Sequence, residues 1–159
     1  MAKITLYVDR DLVRAGLDLS TLEADDVVVE TSERLAAETI FVVVVSYLGM
    51  KLLDFAVNEG LRAAFDKLVD FTRSREKKLR IEIEDHEFDE RVKLYAKVET
   101  MDRDEFEAAL SGLEKVRIDA EALIAEADEP LQDAWYVWQD NEWVFSYYTT
   151  ETGEIVDER

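Results

Sequence analysis

The sequence predicts an α+β domain: a mostly antiparallel sheet packed on a long central helix (33–72), followed by a C-terminal helical segment and an aromatic three-stranded β-meander. Three observations carry this expectation. Ser32–Arg73 is the longest apolar stretch and can supply most of a core. Residues 79–84 and 91–99 alternate apolar with polar side chains, as half-buried strands do. All three tryptophans fall between 135 and 143, in a run that reads as a hairpin. A chain of 159 residues is expected to form one domain. Within it, residues 1–100 read as an α+β core and 101–159 as an acidic helical segment plus the aromatic meander, packed on that core.

Taken in order, Lys3–Val8 alternates, with Ile4, Leu6 and Val8 on one face, and predicts a first strand. Residues 10–26 read as a loop or short helix. Val27–Glu30 predicts a second strand. Ser32 offers a helix cap, and Leu61, Ala64, Phe65 and Leu68 recur at helical spacing opposite Arg62, Asp66, Lys67 and Asp70. Gly60, after Asn58 and Glu59, is a point at which that helix can kink or break. Ile40–Val45 suits a buried strand or a helix buried all round, because five of its six residues are β-branched. The long-helix assignment takes the second option. Lys51 and Asp54 interrupt the apolar run, whereas a membrane span needs roughly 20 apolar residues, so no transmembrane span is expected.

Leu79–Glu84 and Arg91–Glu99 are expected to pair as a hairpin through Asp85–Glu90. Asp102 and Glu105 have the spacing of a capping box ahead of a helix carrying Phe106, Ala109, Leu110 and Leu113 inward. Ser111-Gly112 can end it, Val116 and Ile118 fit a helix or a brief strand, and Asp119 can cap a further helix that closes before Pro130. In the aromatic run, Asp140-Asn141 can form a two-residue turn, since both residue types tolerate positive φ. That register sets Trp138 opposite Trp143 and Tyr136 opposite Phe145. It puts Tyr136, Trp138, Trp143, Phe145 and Tyr147 on one face, with Trp135 and Tyr148 on the other. Glu154–Val156 would be a third strand.

Leu131, Trp135 and Tyr147–Glu154 make this C-terminal stretch resemble a WW domain, whose opening Leu, first Trp and second and third strands they match. The resemblance implies a three-stranded antiparallel sheet. The chain departs from the pattern at Asp157, near where that family has its ligand-binding second Trp, and no closing proline follows. Proline-rich ligand recognition therefore does not carry over.

Charge is the strongest global feature. The formal net charge is -19, from 38 acidic and 19 basic residues. Residues 81–159 hold 24 acidic and 7 basic side chains, a net of -17. Such a half repels phosphates, which excludes nucleic-acid binding by it. It fits a solubility surface, adaptation to high salt, or a surface that meets a basic partner. The absence of cysteine excludes disulfides, thiolate metal sites and thiol catalysis. No charged and apolar leader opens the chain, so a cytoplasmic location is expected.

Motifs for chemistry are sparse. The scattered glycines make no phosphate loop, and no serine sits in a nucleophile elbow. Asp85, His86 and Glu87 are the weak metal candidates, but one histidine cannot build a His-rich zinc site, and the loop lacks the glycine of a calcium loop. Neither enzymatic activity nor a cofactor is expected. The expected function is a non-catalytic protein-interaction module, of adaptor, antitoxin/immunity or inhibitor type, presenting its acidic, aromatic C-terminal half to a basic protein. Candidate contact residues are Trp135, Trp138, Trp143, Tyr148, Glu121, Glu126, Asp128 and Glu129, because aromatic side chains anchor interfaces and charges steer approach. The alternatives are a homo-oligomer subunit joined through the apolar 40–57 segment and a metal-dependent hydrolase around His86.

Overall fold

A computed structural model of the chain describes residues 4–14, 16–21, 27–32, 41–47, 59–73, 79–85 and 88–158. In chain order the elements are β1 (Ile4–Asp9), α1 (Arg10–Arg14), a 3-10 turn (Leu19–Thr21), β2 (Val27–Ser32), β3 (Phe41–Tyr47), α2 (Glu59–Arg73), β4 (Leu79–Asp85), β5 (Lys93–Glu99), α3 (Arg103–Ser111), α4 (Leu113–Glu126), β6 (Leu131–Gln139), β7 (Glu142–Thr150) and β8 (Ile155–Val156). The strands form one eight-stranded sheet in the order β2-β1-β3-β4-β5-β6-β7-β8. The fold is mixed α and β. The sheet is mixed as well: β1–β2, β3–β4 and β5–β6 are parallel, and the other neighbours are antiparallel.

The expected long helix over 33–72 is corrected by β3. Phe41–Tyr47 is a strand inside the sheet, antiparallel to β1 and parallel to β4. Its β-branched residues lose side-chain freedom against a helical turn and keep it in a strand. An apolar run without alternation suits a buried strand as well as a helix buried all round. Helix α2 is confined to Glu59–Arg73. The remainder of the expected helix, 33–40 and 48–58, lies outside the described residues. The homo-oligomer alternative placed its interface on 40–57. Both ladder edges of β3 are already taken by β1 and β4, so that strand offers no backbone edge to another copy.

Helix α2 turns Ala64, Phe65, Leu68, Val69 and Thr72 inward. Phe65 stacks on Phe106 of α3, with centroids 4.6 Å apart. Arg103 binds Asp66 across the same joint through Nε at 2.9 Å and through a second guanidinium nitrogen. On the sheet, Ile81 and Ile83 of β4 and Leu94, Ala96 and Val98 of β5 are buried, as are Ala134 and Tyr136 of β6. These alternate residues face α2, α3 and α4 and form the core with Phe106, Leu110, Leu113, Val116 and Leu123.

Asp102 caps α3 as its spacing predicts, its carboxylate accepting from the Asp104 N–H at 2.9 Å. The reciprocal half of the box is replaced: Glu105 accepts from the Thr100 hydroxyl at 3.1 Å instead. Gly112 ends α3 and α4 starts immediately, at Leu113. Asp119 is therefore a mid-helix residue and not a cap. No side chain fits freely at Gly112, because a Cβ there would stand 3.1 Å from Trp143 Cδ1. The indole of Trp143 fills the space that the glycine leaves.

Candidate functional site

The C-terminal hairpin is organised by its turn. Asp140 and Asn141 both take positive φ, at 51° and 63°, which is the two-residue turn whose twist matches paired strands. The turn pairs Gln139 with Glu142, Trp138 with Trp143, Val137 with Val144 and Tyr136 with Phe145. Trp138 and Trp143 meet edge to face, with centroids 5.3 Å apart, and Tyr136 and Phe145 do the same at 5.8 Å.

Beyond Phe145 the register shifts. Trp135 pairs with Tyr147 and Ala134 with Tyr148, so Ser146 is the extra residue of a bulge. One inserted residue exchanges the faces of everything after it. Tyr147 therefore joins Trp135, and Tyr148 joins the core side, where it packs near Phe145. This reverses the expected placement of both tyrosines. Alternation predicts a face only while the ladder is unbroken, and nothing in the residue types of 143–150 marks Ser146 as the break.

The two faces differ in what they meet. On the helix side, Trp143 donates from Nε1 to the Ala109 carbonyl at 2.7 Å, and the Tyr136 hydroxyl donates to the Asp119 carboxylate. The Trp138 Nε1 is buried without an acceptor. Three of the expected contact residues, Trp138, Trp143 and Tyr148, are thus partly buried against the core. A cleft of about 660 Å³ separates α3 and α4 from the hairpin on this side, lined by Tyr136, Trp138, Trp143 and Phe145 among others.

On the opposite face, the described residues place no helix over the strands. Trp135 stacks between Tyr95, at 4.2 Å, and Tyr147, at 5.7 Å. The Lys97 ammonium lies 4.5 Å from the Trp135 ring centre, a cation held by the negative face of the indole. Trp135 Nε1 donates to Asp133 at 3.1 Å. Glu82 stands opposite Lys97, and Arg80 reaches Glu99 at 3.7 Å. The face is an aromatic stripe across three strands, bordered by carboxylates and a few cations. Tyr95 and Lys97 were legible as the outward set of β5, but their stacking on Trp135 was not, because it depends on the parallel β5–β6 pairing.

These neighbours set the acidities. Burial pushes the Tyr95 phenol up to about 12, helped by Glu84, Asp133 and Glu82. Burial also raises Tyr147, again with Asp133 and Glu82 contributing. Glu82 is raised by burial, partly offset by Lys97. A carboxyl whose folded value is raised favours the fold while protonated and loses that contribution as pH rises through the folded value. Replacing Glu82 by Gln keeps the neutral form at every pH. Glu82→Gln is therefore expected to raise the melting temperature at pH 7, with the gain closing as the pH falls to the ordinary glutamate value of about 4.5. Melting curves at the two pH values check this; an equal gain at both would mean that charge is not the cause.

Glu121, Glu126, Asp128 and Glu129 are all exposed, on α4 and the turn after it. Asp85 ends β4, and His86 and Glu87 lie outside the described residues. Among the described residues, no group of three or more His, Cys, Asp or Glu side chains is arranged to hold a metal ion. No described helix is long and apolar enough to cross a membrane. The three strands likened to a WW domain are continuous with the larger sheet through β5–β6. No protein-family model, no curated protein and no solved structure matches this chain.

Proposed function

We propose that this chain is a non-catalytic protein-interaction module that takes a basic protein partner on its acidic, aromatic C-terminal half. The observation that carries the reading is the Tyr95–Trp135–Tyr147 stack on a sheet face with no described helix over it. Large rings spend little conformational entropy when they are buried by a partner, and three in a row form an anchor of the kind that dominates interface energetics. Trp135 is the one expected aromatic contact residue on this face. The net of -17 over residues 81–159 supplies the complementary field, and exposed Glu121, Glu126, Asp128 and Glu129 extend it at the end of α4.

The division of labour is testable once a partner has been captured from the host and purified. Steering by charge should make association fall as ionic strength passes about 0.15 M, where the screening length is about 8 Å. Reversing the four α4-end carboxylates should slow association by about tenfold or more. Trp135→Ala should act on dissociation, measured at a temperature where the variant remains folded, since losing the stacks on Tyr95 and Tyr147 also costs stability. A neutral or acidic partner, or an association rate indifferent to salt, would overturn the reading.

A further inference from the structure

Resting on that reading for the partner's charge, we infer a second contact beyond the Trp135 face: a segment of the basic partner enters as an extended strand added to the outer edge of β7, with alternate side chains seated in the aromatic cleft beside it. Strand β8 pairs only with Tyr148 and Thr149, so the described residues place no strand beside Glu142–Tyr147. The two-residue turn fixes which backbone groups face that edge. Gln139 and Glu142 close the turn as a hydrogen-bonded pair, so Val137 and Val144 form the next such pair, and Trp143 turns its N–H and C=O away from β6.

The cleft adjoins the same strand. Glu142, Trp143, Val144 and Phe145 all line it. Strand residues point to alternate faces, so a cleft touched by all four in succession reaches the backbone of β7 as well as the rings of Trp143 and Phe145. A strand laid there would form a backbone ladder with β7 and send every second side chain into the cleft, toward Phe145 and helix α4. This is the division in which backbone bonds provide affinity and side-chain pockets provide selectivity. The bulge at Ser146 limits the straight edge to Glu142–Phe145, which suits a short segment.

Charge selects the occupant. From Ile118 to Glu158 the chain carries twelve carboxylates and neither Lys nor Arg. Glu142 and Asp119 are at the cleft itself, against a single Lys115. A second copy would bring a net charge of -19 against the same edge, so a lysine- or arginine-bearing segment is favoured.

The test uses the full chain and a blocked hexapeptide alternating Lys and Val, with two analogues N-methylated on one or the other set of alternate residues. The peptide should raise hydrogen-exchange protection at the Trp143 amide. It should change Val144 little, since that amide already bonds β6. One N-methylated analogue should lose about tenfold or more in affinity, and the other should bind within about twofold of the parent peptide, because only one set of amides faces β7. Ala108→Leu, at an exposed helical position lining the cleft, should weaken binding with the melting temperature unchanged. Equal binding of both analogues would overturn the strand-addition inference and leave the basic-partner reading standing. Absence of peptide binding would also overturn it, while that reading would still be decided by the salt dependence of the captured partner. Protection at Trp143 that rises with protein concentration alone would assign the edge to a second copy and likewise overturn the inference.

Discussion

Phe106→Ala should cost about 3–5 kcal/mol in a denaturant unfolding experiment, the range for deleting a buried aromatic ring. Phe106 is 1% exposed and Phe65 is 3% exposed. Their rings stack nearly parallel, 14° apart, and they are the hinge at which α2 packs on α3. Deletion leaves a void that cannot collapse easily, because the core it belongs to, Ile81 and Val98 included, is itself almost fully buried. Phe65→Ala removes the same contact from the other side, so the double mutant should fall short of additivity by about 0.5–1.5 kcal/mol. A near-neutral Phe106→Ala would mean that α2 does not pack where the structure places it.

Trp143→Ala should cost about 3 kcal/mol, toward the lower end for a large aromatic because the ring is only half-buried. Three contacts are lost together: the hydrogen bond to Ala109, the edge-to-face contact with Trp138 and the packing against Gly112. They separate by substitution. Trp143→Phe retains a ring and loses the donor, worth about 1 kcal/mol. A double-mutant cycle with Trp138→Ala isolates the cross-strand pair, expected at about 0.5–1.5 kcal/mol. Zero coupling would refute the hairpin register, since non-hydrogen-bonded pairs such as this one hold their side chains closest.

What the sequence made legible is local. The alternation of 91–99 marks the outward and inward sets of β5, and Asp140-Asn141 specifies the hairpin register because a two-residue turn leaves no slack. Asp102 identifies the start of α3. What it hid depends on partners distant in the chain. Phe41–Tyr47 is a strand only because β1 and β4 flank it, and its apolar run alone also suits a helix. Trp135 and Trp143 look equivalent as residues; one lies on the uncovered face and the other under α3, and β5–β6 pairing decides which. The Ser146 bulge moved Tyr147 and Tyr148 across the sheet without any residue type to announce it. Carboxylates were the easier part of the candidate surface to read, since charge at Glu121 or Glu129 needs no fold to be exposed.

The alternation of parallel and antiparallel neighbours also sets an order of assembly. The β4–β5, β6–β7 and β7–β8 pairings are hairpins, whose closure involves short loops and proceeds on a timescale of about microseconds. The parallel joints close much longer loops: Ile4 meets Val27, Phe41 meets Leu79, and Lys93 meets Asp133. Such pairings are slow because loop entropy is spent before any contact forms. Hairpins should therefore exist before the sheet that unites them, and φ-values should be higher for Trp138 in its hairpin than for Val8, whose partner Val43 is distant in the chain. During that interval the edges of β5 and β6 are both open. The same carboxylates that attract a basic partner would then keep half-assembled chains apart, so neutralising them should first appear as aggregation during refolding rather than as a loss of native stability.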